Sequence, residues 1–511
     1  MRLNTSLIDT VNFVSKPQYI SIQSVYRSDD IDKYADTQGA IADSWAKQDI
    51  GFARAGEPFT IQICGRMANA KENEIPDASC APSFGKEAES PDFEFSFDLF
   101  AVNLKGTPKL PIAAKDQVVR EAFLLDQPFK RLLTGSGNKF EAKARYFEAG
   151  MLGMTVRLTD YLGAGEVTGS NGSAKEIGRL VSGTRVVGRF YPDHFVTETT
   201  SNFQCLPPMN CPVAAGVAVT GATYSMQPFA FSVRAYGLPR PGSADPALLS
   251  LYQNMIIDTD KPRPLTLIGA KAPNVSQVAA VGRFDTDPAT QLKSPAAVDD
   301  FPDLGGLASW RLGDPYSSAG RAANAWGAPT PVYLRASMDE YRGVKGGIQK
   351  VIVSSLTPTD AAAGTQYEDG LMVIAGRLFV PNVFGSELLR LPVPLTAQYW
   401  SGTAWVTSAN DNASVVASAI RPVADGCRRF FAQDPKTGQC KANPLTPVAG
   451  GMPVTLVRGS GMLTLLAPAR GTVGSVDYTL DSSAAPWLPS TRARATFGLY
   501  RSPVIYLREV Y

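Results

Sequence analysis

Apolar and polar residues exchange places at every second position in stretch after stretch of this chain. "QYISIQSV" (18–25), "FTIQICGRM" (59–67), "FEFSFDLFAV" (93–102) and "GMTVRLTDYL" (153–162) all do so. So do "FAFSVRAYG" (229–237), "VPLTAQYW" (393–400), "SVDYTL" (475–480) and "PVIYLREVY" (503–511). A period of two turns one side of the backbone to a core and the other to water, which is the pattern of antiparallel sheets. Gly, Pro, Asn and Asp clusters separate the stretches, and the chain carries 45 glycines and 38 prolines. At 511 residues it is too long for one ordinary core. The expected fold class is mostly β: tandem antiparallel β-sandwich (Ig-like) domains with few short helices. Helical patterning is confined to 32–48, where Tyr34, Ile41 and Trp45 share a face, and to 243–256, where Asp245 is placed as an N-cap and Pro246 opens the first turn.

A longer repeat overlies the alternation. "GEPFTIQICGRM" (56–67) aligns with "MQPFAFSVRAYG" (226–237) and more weakly with "LPVPLTAQYWSG" (391–402). Each strand headed by proline follows a phrase rich in Pro and aromatics: "NFVSKP" (12–17), "GRFYPDHF" (188–195) and "GRLFVPNVF" (376–384). The repeat unit is longer than a solenoid turn and fits tandem sandwiches. It divides the chain into three modules: 1–190 with a helical insertion, 191–378, and 379–511 ending in a C-terminal strand. In this reading the phrases are joints. Arg189 and Phe190, or Arg377 and its neighbours, close a strand. Pro192 or Pro381 then fixes the backbone as the chain leaves, because proline locks φ and restricts the preceding residue. Phe195 or Phe384 re-enters the next core. The C-terminal alternation runs to the last residue, so Phe497, Tyr500, Ile505, Leu507 and Val510 are expected to join the last core or its partner face, and loss of the final residues to unfold the third module.

The six cysteines lie in close pairs: Cys64 and Cys80, Cys205 and Cys211, Cys427 and Cys440. Short loops favour disulfides between neighbours, because closing a small loop costs less entropy, and disulfides imply an oxidising compartment. Reduced, buried thiols are the alternative. With 49 basic and 47 acidic residues the net charge is +2 and no basic tract stands out, so nothing points to nucleic acid. No apolar run reaches the ~18 residues of a membrane helix. "MRLNTSLIDTVNFVSKP" lacks the apolar centre of a signal peptide, so export information is expected elsewhere.

The chain has one histidine, His194, which limits acid–base chemistry. A Ser-His-Asp arrangement would have to use it, and no Gly-x-Ser-x-Gly turn is present. Phosphate loops and dinucleotide turns are also missing. No catalytic or cofactor-binding residue is assigned, and the expectation is a protein that is not an enzyme. Calcium is the one candidate ligand, at Asp29, Asp30, Asp32 and Asp36, with further oxygens at Asn410, Asp411 and Asn412; none has EF-hand spacing. Trp310, Trp326, Trp400 and Trp405 are candidates for stacking on sugars, against the plainer reading that they are core.

"GRFYPDHF", "ATYSMQPFAFSV" (222–233), "GRLFVPNVFGSELLRLPVPLTAQYWSG" (376–402) and "ARATFGLYRSPVIYLREVY" (493–511) resemble DUF6701, the conserved-domain family at the C-terminal end of MSHA biogenesis protein MshQ. "DYLGAG" (160–165) and "PWL" (486–488) fit the same pattern, and the resemblance spans about 14–511. The chain departs from it at "YFEAG" (146–150) and at "SANDNAS" (408–414), which has no cysteine. The resemblance implies an exported protein associated with a type IV pilus of the mannose-sensitive haemagglutinin class, passing through the periplasm; beyond what it implies, the expectation is a structural stalk or a tip or surface adhesin, on the pilus or at the cell surface. Its partners would be other pilus or minor pilin subunits, with surface glycans as a further class. A carbohydrate-binding or carbohydrate-active module and a periplasmic assembly factor are the alternative functions.

Overall fold

A computed structural model describes residues 17, 19–27, 50–66, 80–81, 84, 95–102, 113–132, 139–158, 161, 166–168, 174–176, 179–183, 185–205, 207, 209, 211, 213–214, 217–219, 221–252, 265–274, 282–285, 304–312, 328–344, 347–358, 361–362 and 364–498. Strands make up most of them, and the fold is mostly β. The alternation is realised as sidedness. Strand Pro228–Gly237 buries Phe229, Phe231, Val233 and Ala235, and strand Leu391–Trp400 buries Leu391, Val393, Leu395, Ala397 and Tyr399.

The same sheet pattern occurs three times along the chain. A first strand pairs antiparallel with the strand headed by proline: Tyr19–Arg27 with Phe59–Arg66, His194–Thr200 with Pro228–Gly237, and Gly376–Phe379 with Leu391–Trp400. A short second segment crosses to the opposite sheet and pairs parallel with the last strand: Ala53–Arg54 with Arg185–Tyr191, Gly221–Tyr224 with Gly370–Ile374, and Val383–Gly385 with Ala493–Phe497. Each last strand pairs antiparallel with a further strand: Gly150–Leu158, Thr330–Val344 and Gly474–Asp481 respectively. Two facing sheets, with an opening strand that divides itself between them, make an Ig-like sandwich. The strands thus form units spanning 19–191, 194–374 and 376–497.

Three apolar cores follow the sheets, and each reaches past its own unit. The middle core takes in Ala55, Ala149 and Tyr191 from the first unit. The third core takes in Ala222, Tyr224, Tyr333, Met372 and Ile374 from the second. The units are therefore packed against one another as well as covalently joined.

Two sequence expectations about local structure are corrected. Residues 243–252 of the supposed helix form bends and the short strand Ala247–Leu248, because Tyr236 and Gly237 offer an open strand edge to Leu248 and Ala247. A helix occurs instead at Ala113–Ala122, where Val119 and Ala122, three residues apart, are buried. The helical candidate 32–48 and the alternating segment after Gly498 lie outside the described residues.

All six cysteines pair with their neighbours. Cys64–Cys80, Cys205–Cys211 and Cys427–Cys440 have Cα separations of 5.7, 6.0 and 5.7 Å. The Cys64–Cys80 link closes a loop with a sequence separation of 16 and lies against the first core. Chain-entropy reasoning gives such a loop about 3 kcal/mol. The C64A/C80A double variant is expected to lose about 3 kcal/mol of unfolding free energy in urea melts, while C205A/C211A, with its shorter loop, loses less.

Candidate functional site

The phrases "GRFYPDHF" and "GRLFVPNVF" lie where one unit meets the next, and the first carries the only histidine. Around it the sequence folds tightly. Val187 and Phe190 of strand Arg185–Tyr191 bracket a register shift against Gly150–Leu158. Gly188 sits inside that shift at φ +119, where a Cβ would come within 2.9 Å of the Gly150 carbonyl oxygen. Glycine relieves both constraints at once. Phe190 points into the first core at ring-centroid distances of 5.5 Å from Phe52, 5.4 Å from Phe59 and 5.0 Å from Tyr146. Pro192 and Asp193 are the only residues between the last strand of the first unit and the first strand of the second. Phe195 is buried in the second core beside Tyr252.

Segment 51–57 of the first unit is held by both units. Phe52 N donates to Arg189 O at 2.8 Å and Ala55 N to Tyr191 O at 2.8 Å, within the first unit. Gly51 N donates to Tyr341 O at 2.5 Å, and Leu238 N donates to Ala55 O at 2.8 Å, across to the second. Side chains reinforce the crossing. The guanidinium of Arg189 donates to the carboxylate of Glu340, and both groups are almost fully buried. Arg342 Nη2 donates to Glu57 Oε1 at 2.5 Å. Arg54 Nη1 donates to Asp193 Oδ1 at 2.8 Å, and the other Asp193 oxygen lies 3.0 Å from His194 Nδ1. Burial works to raise the Asp193 carboxyl, but its bonds to His194 and Arg54 outweigh that and hold it below the usual aspartate range.

His194 is a packed side chain. Its ring is stacked between Tyr367, at a centroid distance of 4.1 Å, and Tyr236, at 5.5 Å, with interplanar angles of 9° and 7°. This geometry fixes the imidazole as a spacer between Tyr236 of strand Pro228–Gly237 and Tyr367, which lies ahead of strand Gly370–Ile374. It spends Nδ1 on Asp193 rather than on a serine.

A second buried acid spans the same joint. Glu148, in the first unit, accepts from Leu251 N at 2.8 Å and Ser250 Oγ at 3.1 Å in the second. Burial pushes its carboxyl up to about 8, against the lowering effect of these hydrogen bonds. The unfolded carboxyl titrates near 4.3. Between those values the native state holds a proton that the unfolded state has lost, so the folded state weakens as pH rises through the window. Stability is expected to fall between about pH 5 and pH 8, with a slope of at most about 1.4 kcal/mol per pH unit, and to level off above it. Glu148→Gln should remove that slope in urea melts taken across the range.

The second joint is shorter still. Ala375 alone separates strand Gly370–Ile374 from Gly376–Phe379. Trp400 N donates to Ala375 O at 2.9 Å and Ser225 N to Ile374 O at 2.7 Å. Tyr224 Oη, from the second unit, donates to Asp411 Oδ2 in the third at 3.0 Å. Burial and then the Asp411 charge push the Tyr224 hydroxyl well above its usual range.

The placement of the other candidate residues corrects part of the joint reading. Arg377 opens a strand of the third unit rather than closing one of the second. Pro381 lies inside the third unit, between Gly376–Phe379 and Val383–Gly385, where its missing N–H ends the first pairing and lets the chain cross between sheets. Phe384 is 81% exposed and does not enter a core. Asp411 spends its carboxylate on Tyr224 and on Ser414 N, at 3.0 Å. Asp29, Asp30, Asp32 and Asp36 lie outside the described residues. Trp310 is core, Trp326 lies outside the described residues, and Trp405 carries Arg377 over its ring at 4.1 Å, with Trp400 5.6 Å away edge-on. Glu340, Glu57, Arg342, Glu148 and Tyr224, the groups that lock the joints, have no local sequence signal.

No helix among the described residues is long and apolar enough to cross a membrane. The three disulfides are compatible with an exported protein. Among solved structures the chain is similar to the I9–I11 tandem of titin, at 6% identity and TM-score 0.22, covering 87% of this chain and 94% of that one. It is also similar to Drosophila OTK extracellular domains 3–5, at 9% identity and TM-score 0.18, covering 87% and 93%. The Ig-like assignment rests on the strand order above. No curated protein matches the chain. Family models do: that of DUF6701, third domain, matches residues 148–252, and that of DUF6701, fourth domain, matches residues 374–510. The third-domain segment straddles the first joint, and it begins and ends where Glu148 meets Leu251 and its neighbour Tyr252. The fourth-domain segment contains the whole third sandwich, so the chain carries matches to two domains of the DUF6701 family.

Proposed function

We propose that this chain is a non-enzymatic structural component of an exported, MSHA-type type IV pilus system, serving as a stalk or a tip and surface element. One observation carries the reading: successive sandwiches are joined with almost no linker, and buried side-chain bonds cross each joint, Arg189 to Glu340 and Tyr224 to Asp411. Joints built this way hold neighbouring units in register, which a load-bearing or presenting element needs and a freely jointed chain lacks. The packing of the lone histidine between two tyrosines supports a structural role for the joint. The partners in this reading are other pilus subunits.

Immunogold labelling of sheared pili from cells expressing the full-length protein tests the proposal. Gold on the filaments, along them or at their ends, is the expected result. Gold that stays with the periplasmic fraction while pili form normally rejects it in favour of an assembly factor. Incubation of the purified chain with a glycan panel is expected to yield no hydrolysis products; product formation defeats the non-enzymatic assignment.

A further inference from the structure

The third unit leaves an apolar stretch in the open at 384–389. Phe384 is 81% exposed on strand Val383–Gly385, and Leu388 and Leu389, in the turn that follows, are 57% and 66% exposed. The turn is ordered by its own bonds: Leu389 N donates to Ser386 O at 3.3 Å and Leu388 N to Ser386 Oγ at 3.1 Å. Lone exposed apolar residues need no explanation, but three within six positions on an ordered strand and turn do.

The end of the described chain lies against this patch. Gly498 N donates to Gly385 O at 2.9 Å, directly after Phe384. Its Cα lies so close to the turn that a Cβ there would come within 2.8 Å of Glu387 Oε2. Residues 499–511 follow. They include "SPVIYLREVY", whose Val504, Ile505, Tyr506, Leu507 and Val510 are apolar. At about 3.3 Å per extended residue the segment 499–511 reaches about 43 Å, about twice the ~20 Å that positions 384–389 span at full extension. Its charges complement the turn: Arg501 and Arg508 against Glu387, and Glu509 against Arg390. The DUF6701 fourth-domain match runs through residue 510, so most of the segment belongs to the same sequence unit as the sandwich.

We propose that the surface formed by Phe384, Leu388 and Leu389 is the seat of the chain's own C-terminal segment, Ser502–Tyr511, which docks there and covers it. Tethering decides between occupants. A segment leaving the sandwich beside the patch has an effective concentration there of order millimolar, whereas a second copy or a foreign partner must reach it from solution. Strand Val383–Gly385 is held by its parallel pairing with Ala493–Phe497, and the exposed Phe384 ring on it then becomes an anchor for the tail.

Photocrosslinking of the full chain tests this. Phe384 is replaced by p-benzoylphenylalanine, at a site whose exposure leaves the fold undisturbed, and the irradiated monomer is digested with trypsin. The expected product joins position 384 to the peptide Ser502–Arg508 within one chain. Crosslinks that omit this peptide overturn the proposal. So do crosslinks that appear only between isotopically distinct copies, which assign the patch to a second molecule. An independent readout is amide exchange over 503–511. It should be slowed at least tenfold in the parent protein, and the slowing should be lost in the L388D/L389D variant. Exchange at the rate of an unstructured peptide in both proteins also overturns it.

Discussion

Replacing Glu340 by alanine is expected to destabilise the protein by about 3–5 kcal/mol and to uncouple the first two units. Glu340 is fully buried, and its carboxylate faces the equally buried guanidinium of Arg189 from the preceding unit. Removing one member of such a pair leaves the other charge in a low-dielectric setting without its counter-charge, which costs far more than the intact pair contributes. The same carboxylate accepts from Tyr341 N at 2.8 Å, next to the backbone bond that ties Tyr341 O to Gly51. The damage should therefore be centred on the joint. Urea unfolding reads the total loss, and hydrogen exchange reads its location: Gly51, Phe52 and Tyr341 should exchange faster, while the third unit keeps its protection. Unchanged stability with unchanged exchange at these amides would remove the buried pair from the account of the joint. Replacing both members by apolar residues of similar size is expected to recover much of the loss, because the buried charge disappears with its partner.

Phe190→Ala is the second large effect, also expected at about 3–5 kcal/mol. The ring is fully buried, and it contacts Phe52, Phe59 and Tyr146 at centroid distances of 5.5, 5.4 and 5.0 Å. The three contacts come from the stretch before Ala53–Arg54 and from strands Phe59–Arg66 and Lys139–Tyr146, so the cavity cannot be closed by moving one loop. Exchange protection of strand Phe59–Arg66 should fall with global stability, since that strand lies between Tyr19–Arg27 and Lys139–Tyr146 in the sheet. A loss below about 1 kcal/mol would show that the site collapses freely and that this core is less specifically packed than its geometry indicates.

The two phrases "GRFYPDHF" and "GRLFVPNVF" show where reading the sequence works and where it stops. Both mark the neighbourhood of a passage between sandwiches; Phe190 closes a strand and is buried in the first core, and Phe195 is buried in the second. Yet the first phrase straddles its joint at Pro192, while the second begins after its joint at Ala375 and bends at Pro381 within the third unit. Analogy with Phe195 places Phe384 in a core. A strand's two faces differ by one residue of register, and on Val383–Gly385 that one residue puts Phe384 outside. Spacing from a proline does not set that parity; pairing with Ala495, Thr496 and Phe497 does.

Local chemistry determined much of this protein by itself. Alternation fixed the strands headed by proline and the residues they bury, because side-chain direction in a strand depends only on parity. Short spacing was enough to favour the three disulfide pairs, because loop entropy is a property of the chain. Tertiary structure alone decided how the units are locked. Arg189 and Glu340 are 151 positions apart, and Tyr224 and Asp411 are 187 apart. Nothing local pairs Arg189 with Glu340 or Tyr224 with Asp411. Their role exists only once two sheets close over them, when losing solvent makes each polar group depend on a partner the fold has brought from far along the chain.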